Sequence, residues 1–145
     1  MHITIICVGK IKEKFYRDAI DEYMKRMGKY HKIEIVEVMD SNIKSEEVEI
    51  MKRIGSRDYV VTMEIEGKSF SSVELSQFID KTLISNSVIT FVIGGSDGLS
   101  DVVKRRANYK LSFSKMTFPH QLFRVILLEQ IYRSFKIINN EAYHK

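Results

Sequence analysis

The residues best suited to chemistry in this sequence lie in FVIGGSDGLS, residues 91–100. An apolar run leads directly into Gly94 and Gly95, which is typical of a strand that ends beside a ligand. Glycine has no side chain, so other atoms can come close to the backbone there. A phosphate, a dinucleotide, another small ligand and a tight turn without a ligand are all compatible with the glycines alone.

Two familiar phosphate-binding patterns do not fit this chain. A dinucleotide fingerprint, GxGxxG, would need glycines where Ser96 and Leu99 stand. The tripeptide GKS at 67–69 resembles the end of a P-loop, but Thr62 occupies the position of the required earlier glycine. The remaining choices are another ligand and a tight strand-to-helix turn.

A second stretch, LSFSKMTFPHQLFRVILLEQIYRSFKI, joins a short polar loop to a long helix predicted from Pro119 to about Ile138. That helix is apolar around most of its circumference, and a helix with two apolar faces must bury both. One face is expected against the sheet of its own chain. The other is expected against a second copy of the chain, although a central core helix would show the same pattern.

The elements that must position these stretches alternate regularly along the chain. Five apolar strand-like runs alternate with five helical patterns, which predicts an α/β fold with a mostly parallel sheet and helices on both faces. Residues 12–30, for example, place Phe15, Tyr23 and Met27 at helical spacing. No linker or repeat interrupts residues 1–145, so a single domain is expected. Ligands of such sheets bind outside the carboxyl ends of the strands, here the loops 64–68, 94–99 and 114–118.

Charge and cysteine content narrow the class of protein. The net charge is +4, but residues 100–145 hold nine basic and three acidic residues, which favours a polyanionic partner over plain solubilising charge. Cys7 is the single cysteine, so no internal disulfide is expected, and no cysteine–histidine spacing suggests a metal site. The absence of a signal-like or bilayer-length apolar run leads us to expect a cytoplasmic protein without a membrane partner.

The sequence resembles the ribosomal large subunit methyltransferase H family of the SPOUT superfamily. The similarity is carried by FVIGGSDGLS, by LSFSKMTFPHQLFRVILLEQIYRSFKI, by the terminal EAYHK and by the opening ITIICVGKIKEKFY. This resemblance implies a SPOUT-type α/β knot, in which the C-terminal segment threads a deep trefoil knot, and a homodimer. Two departures are a short segment at residues 40–58 and Ala142, where the family often has proline before Tyr-His.

The resemblance also implies S-adenosylmethionine as the cofactor. Adenine needs a flat apolar slot edged by backbone donors and acceptors, and the paired glycines would let the chain approach it. The residues that the resemblance places in this site are Met63, Gly94, Gly95, Phe113, Ser114, Lys115, Met116, Thr117 and Phe118.

The implied reaction is methylation of N3 of a pseudouridine in 23S rRNA within the assembled ribosome. Arg133, Tyr143 and His144 are the expected catalytic residues, because they could stabilise negative charge, stack on a base and handle a proton. A non-catalytic RNA-binding α/β module and a nucleotide-binding α/β protein are the alternative classes. The basic residues expected to contact RNA are Lys104, Arg105, Arg106, Arg124, Lys136 and Lys145.

Overall fold

The strands and helices follow the alternation predicted from the sequence. A computed structural model describes residues 2–145. The strands are β1 (His2–Val8), β2 (Lys32–Val38), β3 (Tyr59–Ser69), β4 (Val88–Ile93) and β5 (Tyr109–Ser112). The helices are α1 (Lys14–Met27), α2 (Ile43–Arg53), α3 (Ser72–Ser85), α4 (Asp101–Arg106) and α5 (His120–Ile138).

The five strands form one sheet in the order β2-β1-β4-β3-β5, and each neighbouring pair is parallel. The α/β fold class is therefore confirmed, and the sheet is parallel throughout residues 2–145. Its carboxyl edge collects the loops that follow β1, β3, β4 and β5. Strand order does not report how the chain threads, so the trefoil knot stays a prediction.

Both faces of the sheet are covered by helices. On one face, Ile3, Ile5 and Cys7 of β1 belong to the core that includes α1, α3 and α5. On the other face, Ile6 and Val8 pack into a smaller core with residues of α2 and α4. This division follows from the alternation of side chains along a strand. Among residues 2–145, no helix combines the length and apolarity needed to cross a bilayer.

Helix α5 is the middle helix of its layer, because α1 and α3 flank it on either side. Leu127, Leu128, Ile131 and Phe135 are almost fully buried. Part of its apolar circumference is thus covered within the chain, as expected of a central core helix. The apolar residues on its outward side are only partly buried; they are Leu122, Val125, Ile126 and Ile137.

The apolar stripe predicted for α1 is correct only in part. Met27 is fully buried, and Tyr23 packs against the larger core. Phe15, at the start of the stripe, has 65% of its surface exposed. Helical spacing alone therefore places this aromatic ring incorrectly.

Candidate cofactor pocket and C-terminal cluster

A cavity of about 540 Å³ lies at the carboxyl ends of β3, β4 and β5, where a parallel α/β sheet binds its ligands. Its size is within the range of small-molecule pockets. Its lining comprises Met63, Glu64, Ile65, Glu66, Ile93, Gly94, Gly95, Ser96, Gly98, Leu99, Lys104, Leu111, Ser112, Phe113, Ser114, Met116, Thr117, Phe118, His120 and Phe123.

The structure brings together eight of the nine residues expected to hold the cofactor. Lys115 is the exception, because its side chain is exposed and does not line the cavity. Sequence reasoning missed Leu99, Leu111 and Phe123, which add apolar wall, and it left His120 without a specific role. The signal for Leu99 was present, since it closes the same loop that the glycines open.

Gly94 and Gly95 are required by the packing of the loop itself, and their contact with a cofactor stays a prediction. A Cβ atom on Gly94 would lie 2.9 Å from the carbonyl carbon of Gly98, and one on Gly95 would lie 3.0 Å from Cγ1 of Val8. Gly98 has φ +76 and its N–H donates to the carbonyl of Gly95 at 3.0 Å. The loop is therefore a tight turn, and the outer side of this turn forms one wall of the cavity.

Gly94→Ala is expected to lower both cofactor affinity and the free energy of unfolding, the latter by about 1–3 kcal/mol, the usual cost of forcing extra atoms into a packed site. The new methyl group would push against the backbone of Gly98, which cannot move without distorting the wall. Calorimetric titration with S-adenosylmethionine and thermal unfolding measure the two effects. Gly28→Ala is the matched control, because Gly28 follows α1 and does not line the cavity, and a Cβ there makes only an ordinary contact, 3.6 Å from the carbonyl oxygen of Lys25. Unchanged affinity in Gly94→Ala would contradict the assignment of the wall.

A bulge in β3 supplies a second wall. Both Met63 and Lys68 are in register with Leu111 of β5, so residues 64–67 leave the sheet between them. A Cβ atom on Gly67 would lie 2.8 Å from the backbone of Leu111, which explains why glycine stands where the strand rejoins its neighbour. The bulge carries Glu64 and Glu66 to the cavity.

The chemistry of the lining fits S-adenosylmethionine. Leu99, Leu111 and Phe118 offer apolar surface for an adenine ring, and the glycine turn and the 113–118 loop expose backbone groups beside them. Glu64 and Glu66 place carboxylates where a positively charged sulfonium or amino group could be neutralised. Among residues 2–145, no three metal-binding side chains come together.

A second cluster forms beside the C-terminal half of α5. The guanidinium of Arg133 is bonded to the carboxylate of Glu129 at 2.9 Å, and the hydroxyl of Tyr143 donates to the same carboxylate, also at 2.9 Å. Arg133 lies over the Tyr143 ring, 4.7 Å from its centroid, and its Nη1 is 3.1 Å from Nδ1 of His144. The three expected catalytic residues are therefore neighbours, and Glu129 joins Arg133 to Tyr143.

Burial and hydrogen bonding keep Tyr143 and Arg133 in their protonated forms. Burial, and then the hydrogen bond to Glu129, raise the pKa of Tyr143 to about 12. The hydrogen bond to Glu129 also raises the pKa of Arg133 above its ordinary value. At neutral pH the tyrosine is a hydrogen-bond donor and the arginine a permanent cation, so neither can accept a proton.

The cluster does not reach the cavity of its own chain. None of Glu129, Arg133, Tyr143 and His144 lines the cavity, whereas His120 does. Arg133 lies thirteen positions after His120 on the same helix, which corresponds to about 20 Å along the axis. A single chain therefore carries the two halves of the expected site apart, one at the start of α5 and the other in its C-terminal half.

The residues expected to contact RNA fall into different environments. For Arg124 the prediction is wrong: only 2% of its side chain is exposed, and it is paired with Glu37 at 2.7 Å and with the carbonyl of Gly9 at 3.1 Å. Arg106 donates to the carbonyls of Gly55 and Asp58.

The other four basic residues differ in their exposure and partners. Lys136 is paired with Glu141 at 3.0 Å and is 14% exposed, so it is directed at its own chain. Lys104 lines the cavity, 4.0 Å from Glu64. Arg105 and Lys145 are exposed.

The fold, the pocket at the carboxyl edge and the sequence together define a SPOUT methyltransferase. The model of the family described as "Predicted SPOUT methyltransferase" matches residues 1–144, and the chain belongs to this family. Among curated proteins, the chain is 55% identical to "Ribosomal RNA large subunit methyltransferase H" of Clostridium acetobutylicum and 54% identical to the protein of that name in Clostridium botulinum strain Loch Maree. Each alignment spans 159 positions and covers 100% of both chains.

Solved structures show the same fold at low sequence identity. A "probable methylase family protein" from Haemophilus influenzae Rd KW20 superposes with a TM-score of 0.61 and 15% identity, covering 99% of this chain and 70% of that one. A tRNA methyltransferase from Aquifex aeolicus superposes with a TM-score of 0.54 and 13% identity, covering 90% and 69% of the two chains. These similarities support the fold assignment.

Proposed function

We propose that this protein is an S-adenosylmethionine-dependent methyltransferase of large-subunit ribosomal RNA, and that it methylates N3 of a pseudouridine in the assembled ribosome. The observation that carries the proposal is the full-length similarity, at 54–55% identity, to proteins named ribosomal RNA large subunit methyltransferase H. A cavity of suitable size and chemistry at the carboxyl edge supports it. The cytoplasm, where ribosomes lie, is the proposed location.

When bound, S-adenosylmethionine supplies an electrophilic methyl group on a sulfonium centre. The residues of this chain must then orient a pseudouridine and remove the N3 proton. Arg133, held by Glu129, is suited to stabilise the negative charge that develops on the base. Tyr143 presents a neutral aromatic ring on which a base can stack. We assign the proton transfer to His144.

Within one chain, Nδ1 of His144 is occupied by its hydrogen bond with Arg133. A guanidinium can only donate hydrogen bonds, so Nδ1 of His144 is the acceptor in its contact with Arg133. To take a proton on that nitrogen, the ring must turn away from Arg133. Both residues are at the surface of the chain, His144 exposed and Arg133 partly so, which leaves space for this rotation when RNA binds.

We further propose a homodimer in which the tail of one subunit completes the cavity of the other. The separation of about 20 Å along α5 between His120 and Arg133 supports such a composite site, because none of Glu129, Arg133, Tyr143 and His144 lines the cavity of its own chain. The partly exposed apolar residues on the outward side of α5, Leu122, Val125 and Ile126, provide a surface for the contact.

Light scattering at micromolar concentration is expected to give twice the mass of the chain, which is 17.0 kDa. The physical reason is the partly exposed apolar side of α5, which a second copy would remove from water. Ile126→Glu is expected to shift the mass to that of a monomer, because it would place a charge in the contact. Gln77→Glu is the control, because it adds the same charge at an exposed position of α3, and it is expected to keep the mass of the dimer. A monomeric wild-type protein would contradict the dimer.

Methyl transfer from labelled S-adenosylmethionine to large-subunit RNA tests the proposed activity directly. Ribosomes from a strain that lacks the corresponding methyltransferase are the substrate, and mapping of the modified nucleotide identifies the base and atom. Calorimetric titration of the protein with the cofactor separates this activity from a non-catalytic RNA-binding module, which would bind ribosomes and not the cofactor.

Protein-free 23S rRNA is expected to be methylated at least about tenfold more slowly than assembled ribosomes. The chain folds around one sheet and carries no separate RNA-binding domain in residues 2–145, so recognition must use the shape of the substrate. Initial rates on the two substrates at equal RNA concentration make the comparison. Equal rates would show that the RNA alone contains the full recognition signal.

A further inference from the structure

The connection between β1 and α1 is a basic segment in an otherwise slightly acidic part of the chain. Residues 9–17, GKIKEKFYR, contain four basic residues and one acidic residue. The charge pattern that points to RNA in the C-terminal third therefore has a counterpart near the N-terminus. Because β1 is parallel to β3, β4 and β5, this segment follows the carboxyl end of its strand and lies at the same edge of the sheet as the cavity.

Hydrogen bonds hold the backbone of this segment in place. The guanidinium of Arg17 donates to the carbonyls of Ile11 and Lys12 at 3.4 and 3.1 Å. The N–H of Ile11 donates to the carboxylate of Glu37, which is itself held by Arg124. A fixed backbone with long cations on it loses less entropy on binding than a mobile loop would.

One of these bonds links the segment to the cavity. The N–H of Lys12 donates to the side-chain oxygen of Gln121 at 2.9 Å. Gln121 follows directly after His120, which lines the cavity. The side chains of Lys10 and Lys12 are exposed, and the backbone of Lys12 is held beside the start of α5, close to the rim of the proposed active site.

An exposed aromatic ring completes the surface. Phe15 has 65% of its area exposed, and its ring centroid is 4.5 Å from that of Tyr16. Leaving a phenylalanine ring in water is unfavourable, so a partner that covers it gains free energy. Lys14, between Lys12 and Phe15 in the sequence, is paired with Asp18 at 2.7 Å, so its charge is balanced within the chain.

We infer that Lys10, Lys12 and Phe15 form a binding surface for a single-stranded loop of RNA beside the cavity. The two lysines hold backbone phosphates, and Phe15 stacks on an unpaired base that flanks the target nucleotide. Cations with an adjacent aromatic ring are the combination by which proteins bind unpaired RNA. The inference rests on the proposed function, because it assigns a place to the RNA of that same site.

The test compares two variants with wild type in methyl transfer to undermethylated ribosomes. Lys10→Gln/Lys12→Gln is expected to raise KM for ribosomes and to make KM less sensitive to salt, with the slope against log salt concentration falling by about one for each lost phosphate contact. Phe15→Ala is expected to raise KM by about tenfold, the range of one base–aromatic stack, and Phe15→Tyr is expected to restore it.

Matched controls lie at the opposite edge of the sheet. Lys25→Gln/Lys81→Gln removes two exposed lysines near the C-terminal ends of α1 and α3, and Ile84→Ala removes an apolar side chain that is 80% exposed. These variants are expected to keep the wild-type KM. All variants are expected to keep the wild-type affinity for S-adenosylmethionine and the wild-type mass in light scattering.

Two results would overturn the inference. Unchanged KM and salt dependence in both test variants would show that RNA does not bind to this surface. Dissociation of the protein by Phe15→Ala would show that a second copy of the chain covers the ring. Failure of the proposed function is distinguishable from either, since wild type itself would then transfer no methyl group to ribosomes.

Discussion

Deletion of Tyr143, His144 and Lys145 is expected to reduce methyl transfer by about 10²- to 10⁴-fold, the range associated with loss of a positioned acid–base group. The cavity should survive, because none of its lining residues lies beyond Phe123, and cofactor affinity should therefore stay close to that of wild type. Some stability will be lost, since the Tyr143 ring packs on Tyr132 with centroids 5.0 Å apart. Single-turnover rates and calorimetric titration measure the two properties.

Point variants separate the contributions of the tail. His144→Ala should account for most of the lost rate, whereas Tyr143→Phe keeps the ring and loses only its bond to Glu129. Lys145→Gln is the control for removal of a terminal exposed charge. A truncated protein with the wild-type rate would exclude the tail from catalysis.

Mixed dimers would show whether the site is composite. One subunit carries the truncation and the other carries Gly94→Ala. If the tail of one subunit serves the cavity of the other, both lesions fall in the same site, and the second site is intact. About half of the wild-type activity is then expected. If each tail serves its own cavity, both sites carry a lesion, and the mixed dimer would have far less than half of the wild-type activity at a cofactor concentration too low to saturate the Gly94→Ala site.

Glu37→Ala is expected to lower the free energy of unfolding by about 3 kcal/mol, and more than Arg124→Met does. Loss of one partner from a buried ion pair leaves an uncompensated charge, which typically costs 3–5 kcal/mol. Arg124 is the buried partner, at 2% exposure, whereas Glu37 is 39% exposed and can be hydrated when alone. The lower end of the range applies because water reaches Glu37.

Replacement of Arg124 itself costs less free energy of unfolding, because it also removes an unfavourable feature of the arginine. Its Nε atom is buried and makes no hydrogen bond to any described residue, and methionine would fill similar space without that cost. Urea unfolding of both variants gives the comparison. Lys14→Ala, which breaks the exposed pair with Asp18, should change stability by less than about 1 kcal/mol. A larger loss in Arg124→Met than in Glu37→Ala would contradict this account of the pair.

Arg124 also shows where sequence reasoning reaches its limit. The helix from Pro119 to Ile138 is predictable from apolar spacing, and the structure gives nearly the same bounds. A charged residue within that spacing is assumed to face solvent. The assumption fails for Arg124 because its partner, Glu37, belongs to a strand 87 positions earlier in the chain, and no local pattern connects the two.

The glycine loop gives a different lesson. Its position after β4 and its requirement for close approach are both readable from the sequence. The group that lies against Gly94 cannot be read from the sequence. It is the backbone of Gly98, which meets Gly94 only after the turn has formed. The same holds for Glu129, whose role in joining Arg133 to Tyr143 depends on a tail that returns to the helix after Asn140, a residue with φ 55.

Helix α5 connects the cofactor cavity to the cluster that contains Arg133. Its first turns carry His120 and Phe123 into the cavity wall, and its later turns carry Glu129 and Arg133. A rigid rod turns a small rotation at one end into a displacement at the other: a tilt of about 3° moves a point about 20 Å away by about 1 Å. Shifts of that size decide rates in positioned reactions. In the proposed dimer, filling of the cavity of one subunit would thereby shift the position of that subunit's own tail at the cavity of the other.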